Sequence, residues 1–156
     1  MSTKKNITLF KSGPFSQWYR SPFVINGITY DNAETYMMWF KDQVFSGGEL
    51  ENKILLAKSP YEVKQLGRQV KNFNEKIWDK ISYHVVFAGN FAKFTQNQFC
   101  YEELMKTGHT ILAEATVDEI WGIGIDIGDP AVNDSNNWIG LNRLGRVLME
   151  IRSRWL

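Results

Sequence analysis

The sequence contains few of the residues that build disulfide frameworks and metal centres. Among its 156 residues there is one cysteine, Cys100, and there are two histidines, His84 and His109, which lie far apart in the chain. One cysteine cannot form a disulfide within the chain, and two separated histidines do not supply the closely spaced ligands of a typical zinc site. We therefore predict a protein that holds no metal, no cofactor and no internal disulfide.

Long apolar runs and an excess of one charge are missing as well. No segment approaches the ~20 apolar residues of a membrane-spanning helix, and the start of the chain, MSTKKNITLFKSG, lacks the apolar core of a signal peptide. Eighteen basic residues against seventeen acidic ones give a formal net charge of +1, which argues against an extended nucleic-acid surface. These features predict a cytoplasmic protein that contacts no membrane and meets any DNA or RNA through a local site.

Aromatic residues, by contrast, are abundant, with six Trp, six Tyr and ten Phe. Most such rings fill a core, and any that line a pocket suit planar ligands. A chain of 156 residues is long enough to bury a substantial core in one domain. We predict a single mainly α, multihelical domain over residues 1–156, with a small N-terminal β-hairpin and short edge strands.

Turn and cap signals divide the chain into short elements. Asn26-Gly27 can supply the positive φ angles of a type I′ turn, so a hairpin is predicted at residues 23–30. Short strands are predicted at 7–10 and 110–115, and residues 1–6 are expected to be loose. Apolar periodicity and capping residues predict helices at 31–45, 49–57, 59–70, 74–94, 98–107 and from about 142 onward.

The helix predicted at 31–45, DNAETYMMWFKDQVF, carries two groups capable of chemistry. Glu34 and Lys41 are seven residues apart, or about two turns, so both project from one face, roughly 10 Å apart along the axis. Each also has a structural interpretation. Glu34 has the spacing of a capping box with Asp31 as N-cap, and Lys41 has the character of a solvated lysine whose stem covers apolar surface.

A second candidate lies at residues 118–124, DEIWGIG. The glycines, Gly122 among them, permit a tight backbone or the close approach of a ligand, Trp121 can stack on a sugar or base, and Asp118 can hydrogen-bond the same ligand. The alternative is a glycine-rich turn with a core tryptophan, in which Asp118 caps a helix. Local sequence favours this alternative slightly.

Arg68 and Lys93 are candidates for phosphate contacts, because both are cationic and arginine offers a bidentate fork. The alternative for both is an exposed helix face. Asn142 opens the last predicted helix, whose N-terminus can receive an anion.

The whole pattern resembles a known family. FSQWYRSPFVINGITYDNAETYMMWFK, at residues 15–41, is similar to the opening of the NADAR domain, the YbiA-like family. Later blocks match in the same order, so that the resemblance covers about residues 15–154. They are Leu66-Gly67-Arg68, Gly89-Asn90 with Ala92-Lys93-Phe94 and Gln96-Asn97, Thr107-Gly108, Asp118 with Trp121-Gly122-Ile123-Gly124, Trp138 with Gly140, Asn142 and Leu144-Gly145, and Leu148-Met149-Glu150-Ile151-Arg152.

The resemblance implies a mostly helical fold and an N-glycosidase, with a site carried over position by position. Its catalytic residues are Glu34, Lys41 and Asp118; its substrate-binding residues are Trp18, Tyr19, Arg68, Asn90, Lys93, Trp121, Gly122 and Asn142. Two positions depart from the usual family residues, Thr35 in place of Gln or His and Trp18 in place of Phe, and both could alter base specificity.

The resemblance also implies a nucleotide-type substrate, ADP-ribose or ribose phosphate attached to a base. The first hypothesis is removal of ADP-ribose from guanine bases of DNA or RNA. The alternatives are cleavage of phosphoribosylamino-pyrimidine intermediates of riboflavin synthesis and a sensor that binds ADP-ribose or NAD without turnover. In the enzyme, Glu34 would stabilise positive charge on the sugar carbon or activate water. Lys41 would either supply positive charge or attack the sugar carbon as a nucleophile.

Overall fold

The computed structural model describes residues 6–156, so the prediction for residues 1–6 falls almost entirely outside the described residues. The described part is mainly α-helical, as predicted. Its strands and helices, in chain order, are β1 (Ile7–Phe10), β2 (Phe23–Ile25), β3 (Ile28–Tyr30), α1 (Ala33–Ser46), α2 (Glu51–Leu56), α3 (Pro60–Gly67), α4 (Glu75–Gln96), α5 (Gln98–Lys106), β4 (Ile111–Glu114) and α6 (Arg143–Ser153). Two short 3₁₀ helices, Pro130–Asn133 and Ser135–Asn137, precede α6.

The predicted hairpin and its turn type are confirmed. β2 and β3 pair antiparallel, with Phe23 opposite Tyr30. Asn26 and Gly27 between them have φ values of 50° and 80°, the positive pair that a type I′ turn requires. β3 ends at Tyr30 and α1 begins at Ala33, so the helix follows the hairpin almost directly.

The described chain comprises two compact units, the central unit Gln17–Asn97 and a flanking unit made of residues 6–16 and 98–156. In the central unit, α1 packs against α2, α3 and α4. Gly67 and Gly89 make two of these approaches close: a Cβ on Gly67 would lie 2.1 Å from Met38 Sδ, and one on Gly89 would lie 2.7 Å from the ring of Tyr36. α1 is thus the helix around which the central unit is packed.

The core of the central unit is largely aromatic. Phe23, Tyr30 and Tyr36 are buried together with Val85, and the rings of Tyr30 and Tyr36 meet edge to face with their centroids 5.0 Å apart. Trp39 packs on the same cluster. Edge-to-face pairs of this kind add to the stabilisation from apolar burial. Several of the abundant aromatic residues therefore serve packing, as expected for most such rings.

The flanking unit contains the parallel pair of β1 and β4, with Ile7 opposite Ile111. α6 packs on β4 through its apolar face. Four residues on this face of the helix are fully shielded from solvent: Leu144, Val147, Leu148 and Ile151. The single-domain prediction for residues 1–156 stays a prediction.

We expect Gly140→Ala to destabilise the flanking unit. A Cβ at this position would lie 2.2 Å from the carbonyl oxygen of Gly122 and 2.8 Å from the backbone nitrogen of Gly124. These are backbone atoms that cannot rotate away, so the expected loss in the free energy of unfolding is about 1–3 kcal/mol. Urea denaturation followed by circular dichroism measures it.

Gly128→Ala is the matched control. Its added Cβ would meet only Asp126 Oδ2, at 3.4 Å, at the end of a flexible side chain. We expect a change within about 0.5 kcal/mol for this variant. Equal stability of the two variants would contradict the packing described for Gly140.

Candidate active site

Glu34 lies at the second position of α1, one residue earlier in the helix than predicted. The N-cap is Asn32, not Asp31: Asn32 Oδ1 accepts a hydrogen bond of 2.9 Å from the backbone N–H of Thr35 and one of 3.0 Å from its hydroxyl. The predicted capping box between Asp31 and Glu34 is therefore wrong, because Asn32 performs the capping. The carboxylate of Glu34 is not needed for this cap, although its side chain is only 8% exposed.

Thr35, one of the two positions that depart from the usual family residues, has a structural use here. Its hydroxyl and its backbone N–H both bind the Asn32 side chain, and Thr35 is buried. The residue therefore closes the first turn of α1. An effect of Thr35 on base specificity stays a prediction.

Lys41 lies two turns further along α1 and is partly buried. Its Nζ donates a hydrogen bond of 2.8 Å to the carbonyl of Gly67, at the end of α3, and lies 4.4 Å from the centre of the Phe73 ring. Burial lowers the pKa of Lys41, nearby Glu34 raises it, and nearby Arg68 lowers it. Glu34 and Arg68 are thus each within electrostatic reach of Lys41. For Glu34, this agrees with the seven-residue spacing on α1.

α4 contributes two polar residues that are completely shielded from solvent, Asn90 and Lys93. They are three residues apart and so share one face of the helix. The interpretation of Lys93 as part of an exposed helix face is wrong, because its Nζ lies 5.8 Å from the ring of Tyr19 and 5.1 Å from that of Phe94. Arg68, by contrast, is exposed, as its structural interpretation as a surface residue predicted.

Gln17 is a residue that sequence reasoning missed. Its backbone carbonyl accepts a hydrogen bond of 3.0 Å from the N–H of Glu34, and its side-chain Oε1 accepts one of 2.6 Å from Asn90 Nδ2. The only signal for it in the sequence was its place in the FSQWY block. Gln17 therefore connects the start of α1 with the buried face of α4.

Trp18 and Tyr19 follow Gln17 and provide aromatic surface in the central unit. Trp18 is 42% exposed, and the Nζ of Lys64 lies 5.9 Å from its ring. Tyr19 is partly buried over Lys93. Of these two residues, Trp18 is the more exposed.

Asp118, Trp121 and Gly122 belong to the flanking unit. Asp118 Oδ1 accepts hydrogen bonds of 2.8 Å from the backbone N–H groups of Ile120 and Trp121. It therefore closes a turn, as the structural alternative predicted, but it does not cap a helix, and Trp121 is half-buried rather than in the core. Gly122 is required by packing, since a Cβ there would lie 2.4 Å from Thr116 Oγ1. Roles for these three residues in catalysis or substrate binding stay predictions.

Asn142, also in the flanking unit, is the N-cap residue of α6 and has a φ of 51°. Its Nδ2 donates to the carbonyl of Leu112 at 2.9 Å, and its Oδ1 accepts from the N–H of Glu114 at 3.1 Å. The side chain thereby ties the start of α6 to β4 rather than capping α6. Its predicted contact with a ligand stays untested by this geometry.

The structure thus groups seven of the predicted site residues in the central unit and four in the flanking unit. In the central unit are Trp18, Tyr19, Glu34, Lys41, Arg68, Asn90 and Lys93; in the flanking unit are Asp118, Trp121, Gly122 and Asn142. Among residues 6–156, no three His, Cys, Asp or Glu side chains come together as potential metal ligands. In the same range, no helix is long and apolar enough to cross a membrane.

Comparison with known proteins relates the chain to N-glycosidases. It is 40% identical over 144 residues to N-glycosidase R617 of Acanthamoeba polyphaga mimivirus, which covers 88% of the chain and 85% of that protein. It is 27% identical to the Riboflavin biosynthesis protein VVA0006 of Vibrio vulnificus over 90% of the chain, but over only 35% of that protein.

The fold has a solved counterpart in the NMR structure of Escherichia coli YbiA. The two align with a TM-score of 0.77 and 27% sequence identity, covering 99% of the chain and 87% of YbiA. The predicted YbiA-like fold is confirmed by this similarity. The model of the NADAR domain matches residues 5–155, and the chain therefore belongs to the NADAR domain family.

Proposed function

We propose that this chain is an N-glycosidase that hydrolyses the bond between ribose C1 and a nitrogenous base, and that its substrate is ADP-ribose attached to guanine in nucleic acid. The observation that carries the proposal is the buried Glu34 at the start of α1, with Lys41 in electrostatic reach of it and Arg68 in electrostatic reach of Lys41. The name of the viral relative supports the same reaction class.

Glu34 is suited to the charge that develops as the bond breaks. The electron pair of the C1–N bond leaves with the base, so the sugar carbon becomes positive, and water then adds its hydroxyl to C1 while its proton goes to the base. A carboxylate stabilises such a cation or takes the proton of the attacking water. The amino end of α1 favours negative charge at Glu34, which fits an electrostatic stabiliser or a base.

Lys41 and Arg68 supply the positive charge that a diphosphate requires. Arg68 is exposed and presents a guanidinium that can bind phosphate oxygens with two hydrogen bonds. Lys93, the third basic residue among the predicted site positions of this unit, is buried beside Tyr19. A substrate that carries two phosphates therefore matches this unit better than an uncharged nucleoside.

The aromatic surface favours a substrate with more than one planar group. Trp18 is exposed and Tyr19 stands next to it in the chain. ADP-ribose linked to guanine contains two bases, and stacking of a base on an aromatic side chain contributes about 1–3 kcal/mol. In this proposal Trp18 and Tyr19 contact a base.

A second candidate substrate is a phosphoribosylamino-pyrimidine of riboflavin synthesis. The name of the Vibrio vulnificus relative favours it, because that protein contains a segment similar to nearly the whole chain. Its single phosphate would need only one of the two cations, Lys41 or Arg68. The two substrates are separated by their rates rather than by the chemistry of bond cleavage, which is the same for both.

The test is a chromatographic assay of three substrates side by side: an oligonucleotide with ADP-ribosylated guanine, NAD, and the phosphoribosylamino-pyrimidine. We expect the highest kcat/KM for the oligonucleotide, with free ADP-ribose and unmodified guanine in the DNA as products. A higher kcat/KM for the phosphoribosylamino-pyrimidine would show that this compound, and not ADP-ribosylated guanine, is the substrate. Tight binding of ADP-ribose with no release of base from any substrate would contradict an enzyme and support a sensor.

A further inference from the structure

The position of Glu34 depends on a segment outside α1. As a residue in the first turn, Glu34 has a backbone N–H without a partner inside the helix. This N–H binds the carbonyl of Gln17 at 3.0 Å. The carboxylate at the start of α1 is thus held at its backbone by a residue 17 positions earlier in the chain.

The side chain of Gln17 is itself fixed at both ends. Its Oε1 accepts a hydrogen bond of 2.6 Å from Asn90 Nδ2, and its Nε2 points to Met37 Sδ at 3.9 Å. Asn90 is fully shielded, and its Nδ2 also donates to the carbonyl of Val86 at 2.9 Å. A backbone carbonyl only accepts hydrogen bonds, so the Val86 contact determines which end of the Asn90 amide faces Gln17.

In this orientation Asn90 donates to Gln17, and its amide group cannot turn over without losing a hydrogen bond. Both protons of Asn90 Nδ2 are used, one by Val86 and one by Gln17, and Asn90 Oδ1 is a buried atom without a hydrogen-bond partner in the described structure. Turning the amide over would place an oxygen against the Val86 carbonyl. The long helix α4 therefore fixes Gln17, and Gln17 fixes the start of α1.

We infer that Gln17 is a positioning residue for the reaction proposed above. It places the Glu34 carboxylate relative to the buried face of α4 through its own backbone carbonyl and its bond to Asn90. Catalytic groups lose activity when they are displaced by about 1 Å, even by changes away from the reacting atoms. The inference rests on the proposed function, because it assigns Gln17 to the placement of Glu34.

Gln17→Leu removes the acceptor for Asn90 with little change in volume. We expect kcat on the ADP-ribosylated oligonucleotide to fall about tenfold to a hundredfold, with KM changed less than threefold. Gln98→Leu is the matched control, since Gln98 is an exposed glutamine whose Nε2 bonds only the surface residue Glu102. Its kcat should equal that of the wild type.

The distinguishing measurement is a double-mutant cycle with Glu34→Asp. A residue that acts through Glu34 has less to lose once the carboxylate is already displaced, so the combined loss in kcat should be at least fivefold smaller than the product of the single losses. A loss in the double variant equal to the product of the two single losses would overturn the inference. A kcat of Gln17→Leu within twofold of the wild type would overturn it as well. If Gln17→Leu does not fold, Gln17→Asn, which withdraws the amide by one methylene, undergoes the same cycle.

Failure of the inference and failure of the proposed function give different results. An active wild type with active Gln17 variants would overturn the role of Gln17 alone. A wild type that releases no base from any of the three substrates would overturn the proposed function, and the role of Gln17 with it.

Discussion

Glu34→Gln should lower kcat for base release by at least about 10²-fold. The substitution keeps the size of the side chain and the backbone bond to Gln17, but it removes the negative charge that would stabilise the sugar carbon. KM should change little, because the lost interaction is with the transition state rather than with the bound substrate. Steady-state kinetics on the ADP-ribosylated oligonucleotide measure both constants.

Glu75→Gln is the control for this variant. Glu75 is also an acidic residue in the first turn of a helix, α4, but it is exposed. It should leave kcat unchanged. If Glu34→Gln retains more than about one tenth of the wild-type kcat, Glu34 is not the residue that meets the developing charge.

Lys41→Met should lower kcat/KM by about 10²-fold if the ammonium acts electrostatically. Methionine retains an apolar stem beside Phe73, but it removes the positive charge of Nζ and the hydrogen bond from Nζ to the carbonyl of Gly67. The charged form exists below the pKa of Lys41, which burial holds below its usual value. Wild-type kcat/KM should therefore fall as the pH rises through that lowered pKa. Arg68→Gln removes a neighbour that lowers the pKa and should move this decline to higher pH.

The nucleophile hypothesis for Lys41 predicts the opposite pH dependence. A neutral amine attacks C1, so kcat/KM would rise as Lys41 loses its proton, and borohydride would trap a covalent adduct on Lys41 during turnover. Such an adduct would contradict the electrostatic role. Lys76→Met, a change of an exposed lysine on α4, should alter neither the rate nor the pH profile.

The parts of the fold that local chemistry determines were predictable from the sequence. Asn26-Gly27 has the backbone freedom of a type I′ turn, and the hairpin formed there. Asn74 and the apolar pattern after it predicted α4, which begins at Glu75 with Asn74 as its N-cap. The cap of α1 was misplaced because Asp31 and Asn32 are both good N-caps, and their sequence alone does not rank them.

The candidate site was only partly predictable, because its contacts depend on distant parts of the chain. The spacing of Glu34 and Lys41 indicated a shared face, and their electrostatic interaction agrees with it. The bond from Asn90 to Gln17 joins residues 73 positions apart, so no local pattern could reveal it. Lys93 resembled a surface lysine because its burial beside Tyr19 exists only after packing. The hydrogen bonds of Asn142 to β4 likewise need the assembled flanking unit.

In the proposed reaction this chain breaks the bond between a ribose carbon and a base with Glu34. The most direct measurement is the chromatogram of one reaction: wild-type protein or Glu34→Gln with the ADP-ribosylated guanine oligonucleotide, sampled until the wild-type reaction is complete. We predict that the wild type releases one ADP-ribose for each unmodified oligonucleotide formed and that Glu34→Gln releases almost none in the same time. Equal release by the two proteins, or an intact substrate with the wild type, would contradict the claim.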